Sequence, residues 1–464
     1  MKQLKIMVLS KKKIKRRFLQ IFALILGLYI AVSLYFMNHF FFHTEINGVN
    51  VSLISHSKAL HAIDQHADRY ELQLVERDGK IETISGKDIQ LTSRASNLSS
   101  QVGSLQTSFF WIASLFKSNQ YYIKNLYAYD STLLDNKIAS LKCLTGTITA
   151  PKNVTFQYKN GSYEIVKEIE GNTINKARFI KKINACLSMG KPSLDLNSSH
   201  CYEEPAFKAD STKAQKTRNL LNKYASTKII YDFGDTKEQL DGSIIHKWLA
   251  VNVNLNIIID KQAVLEYVRE LSNQYNTIGI RREFQSATGK NVEVSGGIYG
   301  WKINHAAETE ALIKNVKQGG IIKKEPVYSQ KGITRKGNEI GDTYVEINIT
   351  RQYLWFFKKG KLIAQGSVVT GNPSRGNATV LGVYMLNYKQ KNATLSGPGY
   401  DAPVTYWMPF YGNIGLHDAS WRYSFGGTIY KRNGSHGCVN APVSIAKKVF
   451  ENIEAGTPII VYEE

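Results

Sequence analysis

Apolar and polar positions divide the chain into three stretches with different rhythms. Phe18 to Met37 is a run of 20 residues broken only by Gln20 and Ser33. At helical rise such a run just crosses a hydrocarbon core, so it predicts one transmembrane helix over residues 18–37 behind a tail of residues 1–17. A buried core helix and a cleaved signal peptide are the alternatives. Ala31-Val32-Ser33 is a weak cleavage site, but the apolar run continues past it.

The middle of the chain repeats itself. Glu164-Ile165 recurs as Glu293-Val294, Ile169 as Ile298, Gly171 as Gly300, Ile174-Asn175 as Ile303-Asn304 and Gly190 as Gly319, all at an offset of 129. Each copy reads as a short strand, a turn at the glycine, an asparagine N-cap and a helix ended by glycine. Phe179, Ile180, Ile183 and Leu187 fall at helical spacing in the first copy, and Leu312, Ile313 and Val316 repeat part of that face. Two copies are too few for a solenoid, so the pattern predicts two related α/β domains, residues 38–215 and 216–338. A duplicated spacer is the plainer reading.

From residue 340 the rhythm alternates. Tyr344–Ile349, Tyr353–Phe357, Leu362–Thr370, the stretch around Val383-Tyr384-Met385, and Pro458–Tyr462 read as strands, with one helix over Ser444–Ile453. The fold class expected is therefore α+β: an N-terminal transmembrane helix, two repeated α/β domains and a β-rich C-terminal domain over residues 340–464.

Charge fixes the orientation. Eight of the positive charges lie in the first seventeen residues, with no acid among them, leaving +13 of the net +21 for the rest. The basic flank stays cytoplasmic, which places everything after Asn38 outside. Nucleic acid is then an unsuitable partner, and a basic ectodomain suits anionic wall polymers or lipid heads. Four cysteines in 464 residues exclude a disulfide-dense scaffold. Cys143, Cys186 and Cys201 cannot all pair with one another, and the sequence assigns no bridge.

Candidate chemistry is concentrated in Gly415-Leu416-His417-Asp418, seventeen further residues, then Ser435-His436-Gly437-Cys438-Val439-Asn440. A thiol is a weak nucleophile near pH 7 until a base takes its proton, and His417 is placed in the motif to do so. Gly437 lets the backbone turn beside the sulfur, where the N–H groups of Gly437 and Cys438 would face a developing oxyanion. Asp418 follows the base directly, and neighbours in a strand point to opposite faces, so it is not the third member of a triad. A structural cysteine, and a zinc site from His417, His436 and Cys438, are the competing readings; the zinc reading lacks a fourth ligand.

The motif His-x17-Ser-His-Gly-Cys-Val-Asn resembles the signature of the L,D-transpeptidase (YkuD-type) catalytic domain, over about residues 340–464. Tyr406-Trp407-Met408-Pro409-Phe410 and His417-Asp418-Ala419-Ser420-Trp421-Arg422 are similar to its surroundings. The repeats resemble tandem peptidoglycan-binding-type domains, and the whole chain the long enterococcal-type branch of the family. Two departures are Val380 in Thr379-Val380-Leu381-Gly382, where many members have proline, and Asn440, where many have arginine. The resemblance implies a peptidoglycan L,D-transpeptidase forming 3→3 cross-links through a cysteine acyl-enzyme. A tetrapeptide stem would be the donor, D-Ala the leaving group and an amine of another stem the acceptor, with neither cofactor nor metal. Cys438 would be the nucleophile and His417 the proton donor and acceptor. His436 would orient the site or pair with the thiolate, Ser435 would hydrogen-bond that network, and Tyr406, Trp407 and Met408 would touch substrate. An L,D-carboxypeptidase using the same residues, and a non-catalytic wall-binding anchor, are the alternatives. The setting implied is a single-pass protein of a Gram-positive cell membrane with its catalytic domain outside.

Overall fold

The computed structural model describes residues 2–94, 105–397 and 400–464. The chain divides into two compact units, Met1–Thr155 with Val166–Ser211, and Phe156–Ile165 with Thr212–Glu464. Helix and strand are mixed in both, as the expected α+β class requires.

The first unit opens with a helix over Lys2–Tyr35. Its part Lys12–Tyr35, 24 residues, is long and apolar enough to cross a membrane, and Phe18, Leu24 and Leu28 on it are exposed. At about 1.5 Å per residue that stretch measures about 36 Å, against roughly 30 Å of hydrocarbon. Beyond it, strands Ser193–Asp195, Glu71–Val75 and Ile81–Ser85 form a sheet in that order, the first pair parallel and the second antiparallel. Alternation puts Leu72 and Leu74 on one face, and they pack with Ile63, Ile84, Phe179, Ile183 and Leu187. Ile180, expected on the same helix face, points outward. Cys143, Cys186 and Cys201 are buried free thiols in this core.

The second unit builds the same topology again. Lys228–Asp232 is central, antiparallel to Lys237–Leu240 and parallel to Ile321–Lys324. Helix Lys176–Met189 in the first unit and helix His305–Gln318 in the second are offset by 129 at both ends. Asn175 and Asn304 cap them, their side chains accepting from the N–H of Arg178 and Ala307. The repeat extends further towards the N-terminus than the sequence offset shows, because the offset changes. Strand Thr92–Ser93 pairs with Tyr127–Ala128 across 33 residues, whereas the corresponding strands Leu249–Val251 and Ile257–Ile259 are only five residues apart. The first copy thus carries an insertion within residues 94–126.

Residues 156–165 were expected in the first domain and instead pack in the second unit. Their hairpin, Thr155–Lys159 with Ser162–Val166, buries Tyr163 against Leu221 and Ala225. The Tyr163 N–H donates to Asn222 Oδ1 at 2.6 Å, and Tyr158 stacks on His246. The equivalent hairpin of the second copy, Arg282–Gln285 with Asn291–Val294, packs Phe284 and Val294 against Val383, Ile460 and Tyr462.

The C-terminal domain sets two sheets around one core. Strands Lys361–Ser367, Tyr353–Lys358, Tyr344–Asn348, Pro458–Tyr462 and Gly382–Met385 form the first in that order; Gln390–Gly397, Tyr400–Tyr411, Ile414–Asp418 and Val439–Ala441 form the second. Val345, Ile347 and Phe356 from one meet Met408, Phe410 and Leu416 from the other. Helix Val443–Asn452 closes this core with Ala446, Val449 and Phe450.

Candidate active site

The last two strands of the second sheet bring the motif together. Ile414–Asp418 runs parallel to Val439–Ala441, with His417 opposite Asn440. Cys438 immediately precedes its strand, so the thiol sits beside the histidine strand. A cavity of about 520 Å³ is lined by Cys438, His417, His436, Ser435, Asn440, Trp407, Trp421 and Arg422, among others.

His417 is buried, and its Nδ1 lies 2.8 Å from the backbone carbonyl oxygen of Asp418. A carbonyl can only accept, so Nδ1 carries the hydrogen and Nε2 keeps the lone pair. Burial lowers the imidazole pKa below its ordinary value, with the Asp418 carbonyl opposing. Burial likewise pushes the Cys438 thiol up to about 11, against the Gly415 N–H that faces it. Thiol and imidazole are both neutral near pH 7 in this resting arrangement. The Cys438 thiol points to the carbonyl of Asn413, 3.5 Å away.

Asp418 does not reach the base. Its Oδ1 accepts the backbone N–H groups of Thr405 and Tyr406, at 2.9 and 2.7 Å, on the opposite face of the strand. Its backbone carbonyl, rather than its carboxylate, orients the imidazole. Asp418→Ala should leave two N–H groups without an acceptor at a cost of about 1–3 kcal/mol. The thermal midpoint should fall, while turnover per folded molecule stays well above that of a His417 variant; equal losses in turnover would contradict this division of labour.

Ser435 Oγ donates to the Cys438 carbonyl at 2.5 Å and accepts the Gly437 N–H at 3.1 Å. This corrects one expectation: the Gly437 N–H is engaged by Ser435 and does not face an oxyanion. Gly437 itself has φ +123°, a conformation other residues rarely adopt, so the turn beside the sulfur needs glycine. His436 is exposed and lines the same cavity.

Of the three residues expected to touch substrate, only Trp407 lines the cavity. It stands opposite His417, ring centroids 5.9 Å apart. A side chain at Gly415 would strike its indole at 2.6 Å, so that glycine makes room for the ring. Met408 is wholly buried in the core, and Tyr406 packs against Phe450. Alternation along the strand is the reason: 406 and 408 share the core face, and 407 has the other.

Asn440 and Arg422, which also line the cavity, were given no role from the sequence. Asn440 is 2% exposed and its Oδ1 has no partner. Arg422 donates from Nη1 to the Asn433 carbonyl at 2.8 Å, while its Nε is buried without a partner. Among the described residues no carboxylate pairs with Arg422, and none lines the cavity. Nor does any group of three His, Cys, Asp or Glu side chains among them converge to hold a metal ion.

Residues 342–461 match the L,D-transpeptidase catalytic domain (YkuD) family. Residues 101–194 and 210–322 each match the family described as "Putative peptidoglycan binding domain". Comparison with curated proteins gave no match. Among solved structures, a cysteine-to-serine mutant of Enterococcus faecium L,D-transpeptidase is 35% identical over 53% of this chain and 98% of its own, with a TM-score of 0.45. The Ldtfm–avibactam carbamoyl enzyme is 34% identical over 54% of this chain and 99% of its own, with a TM-score of 0.46. The catalytic domain of the Enterococcus faecium enzyme acylated by ertapenem is 39% identical over 26% of this chain and 98% of its own, with a TM-score of 0.25.

Proposed function

Because the chain belongs to the L,D-transpeptidase family, we propose that it cross-links peptidoglycan through an acyl-enzyme on Cys438. The observation that carries this reading is one cavity holding the thiol and an imidazole whose Nε2 is free to take its proton. In the first step Cys438 Sγ bonds to the carbonyl carbon of the third stem residue, its proton passing to His417 Nε2. The C–N bond to D-Ala then breaks, and His417 returns the proton to the leaving amine. In the second step an amine of another stem attacks the thioester, loses its proton to His417 and expels the thiolate, which is reprotonated. General acid–base help of this kind contributes about 10²–10⁴-fold.

A tetrapeptide donor ends in a carboxylate one residue beyond the bond that breaks. Two guanidiniums line the cavity, the exposed Arg375 and Arg422; Arg422, whose buried Nε has no partner, is the one we assign to receive it. Asn440 Oδ1 accepts an N–H of the bound stem, and Trp407 walls the cleft. Arg422→Gln should raise KM for a tetrapeptide donor on the order of 10–100-fold with little change in kcat. A donor amidated at that carboxylate should show no further loss in the variant. Equal loss for both donors would remove Arg422 from carboxylate recognition.

The apolar helix serves as the membrane anchor, with the basic tail inside and residues 38–464 on the wall side. The tandem domains hold the protein to peptidoglycan, and the +13 balance of the remainder adds attraction to anionic wall polymers. The test is product analysis: full-length protein, given a defined disaccharide-tetrapeptide, should release D-Ala and form a 3→3 linked dimer. Free tripeptide as the sole product would identify water as the acceptor, hence a carboxypeptidase, and no product at all would leave only an anchor.

A further inference from the structure

The insertion that distinguishes the first repeat from the second has no charged residue between Arg94 and Lys117. Its described part carries two short 3-10 turns over Ser108–Leu115, and their large apolar side chains face outward: Phe109, Ile112 and Leu115 are exposed, Phe110 is 70% and Phe116 88% exposed. A contiguous patch of this kind on a water-facing surface is unusual and marks a contact. What it contacts follows from where it is tied. The Tyr29 hydroxyl donates to the Phe109 carbonyl at 2.6 Å, and Trp111 lies against the rings of Tyr29 and Phe36. Gln106 pins the start of the segment, donating from Nε2 to the carbonyls of Phe36 and His39 and accepting the Phe41 N–H.

Tyr29 is not at the end of the apolar helix. It lies six residues before Tyr35, about 9 Å back along the axis. Whatever surrounds the exposed helix face at that level also surrounds Phe109 to Phe116. We propose that residues 107–116 form a wedge sunk into the outer leaflet beside the anchor, with Phe110 and Phe116 among the acyl chains. This rests on the anchor reading given above. A depth of about 9 Å matches the 5–10 Å to which interfacial helices bury their apolar faces. The backbone suits that depth, since the Phe110 N–H donates to the Thr107 carbonyl, the Phe116 N–H to the Ala113 carbonyl and the Ser114 hydroxyl to the Trp111 carbonyl. In the second repeat only five residues join the corresponding strands, so it carries no such segment. With two attachments, helix and wedge, the first domain is held at fixed height and tilt on the membrane.

The test uses the full-length chain in vesicles of phosphatidylglycerol and phosphatidylethanolamine. Spin labels are placed singly at Phe110→Cys, Phe116→Cys, Leu24→Cys and Ile81→Cys in a Cys438→Ala background, where the other three thiols are buried. Collision with dissolved oxygen and with a water-soluble nickel chelate reports depth. Labels at 110 and 116 should read lipid as Leu24 does, with oxygen collision above nickel collision, but at a shallower depth than Leu24, which lies about 16 Å back from Tyr35, while Ile81 stays open to nickel. Labels at 110 and 116 that read like Ile81 while Leu24 reads lipid would overturn the wedge and leave the anchor standing. Shielding from both reagents would mean a protein partner covers the patch, which also overturns it. An aqueous Leu24 would defeat the anchor itself, and the wedge with it.

Discussion

Cys438→Ala should lose D-Ala release and dimer formation together, to background, a drop on the order of 10⁶-fold if the nucleophile behaves as those of other covalent enzymes do. Both half-reactions pass through the same thioester, so neither can survive alone. No second thiol can substitute: Cys143, Cys186 and Cys201 are buried in the core of the other unit. Cys438→Ser should be nearly as inactive, because the hydroxyl is much harder to ionise and His417 is not a strong enough base to compensate. Folding should be little affected, since the sulfur's hydrogen bonds are weak ones, a 3.5 Å contact to the Asn413 carbonyl and the facing Gly415 N–H. Reverse-phase separation of products, alongside a thermal melt of each variant, checks both statements. Residual cross-linking by Cys438→Ala would remove the thiol from the mechanism.

The second large effect is expected at His417, and its pH dependence is the sharper test. In the parent enzyme the imidazole must be neutral to accept the thiol proton. Burial lowers its pKa from the ordinary value near 6.5, so the base form already dominates at neutral pH. kcat/KM should therefore be flat through pH 7 and fall only on the acid side, with a midpoint below 6.5. His417→Ala should lose about 10²–10⁴-fold at pH 7. Its remaining rate depends on the small fraction of free thiolate, and the thiol is pushed up to about 11. That rate should climb about tenfold per pH unit through the neutral and alkaline range, narrowing the gap to the parent. A variant whose rate ignores pH, or a parent profile with its acid midpoint well above 6.5, would contradict the neutral thiol–imidazole pair. A stopped assay of D-Ala release across pH 5–10 distinguishes these outcomes.

How much of this was legible beforehand depended on whether a feature is written locally. The helix Lys176–Met189 was readable because an asparagine cap, apolar spacing and a closing glycine all lie inside it. The apolar N-terminal helix and the strand Pro458–Tyr462 were equally self-contained. The first half of each repeat was not, since the insertion between Ser93 and Tyr127 shifts the register and the offset of 129 no longer applies before it. The hairpin Gln390–Gly397 with Tyr400–Tyr411 went unseen because its first strand carries Lys391, Asn392, Thr394 and Ser396, a polar face that reads as loop.

Within the site, the residues of the motif are together as their spacing suggested, but orientation was beyond the sequence. Tyr406 and Met408 neighbour Trp407 in the chain, yet only the pairing of Trp407 with His417 reveals which face looks into the cavity. The engagement of the Gly437 N–H had a local signal, a serine two residues earlier, whose hydroxyl commonly accepts from the backbone two positions on. Arg422 had none. An arginine after a tryptophan is ordinary until the fold lines the cavity with it and, among the described residues, pairs it with no acid, which is what supports its proposed role.

The central claim is that Cys438 carries the stem. It is tested most directly by mass spectrometry of the full-length protein quenched during turnover of a tetrapeptide donor without acceptor amine. The account predicts a mass increase equal to the donor minus D-Ala, found on the peptide that contains Cys438 and missing from Cys438→Ala. An adduct on any other residue, or turnover with no adduct on the chain at all, would contradict it.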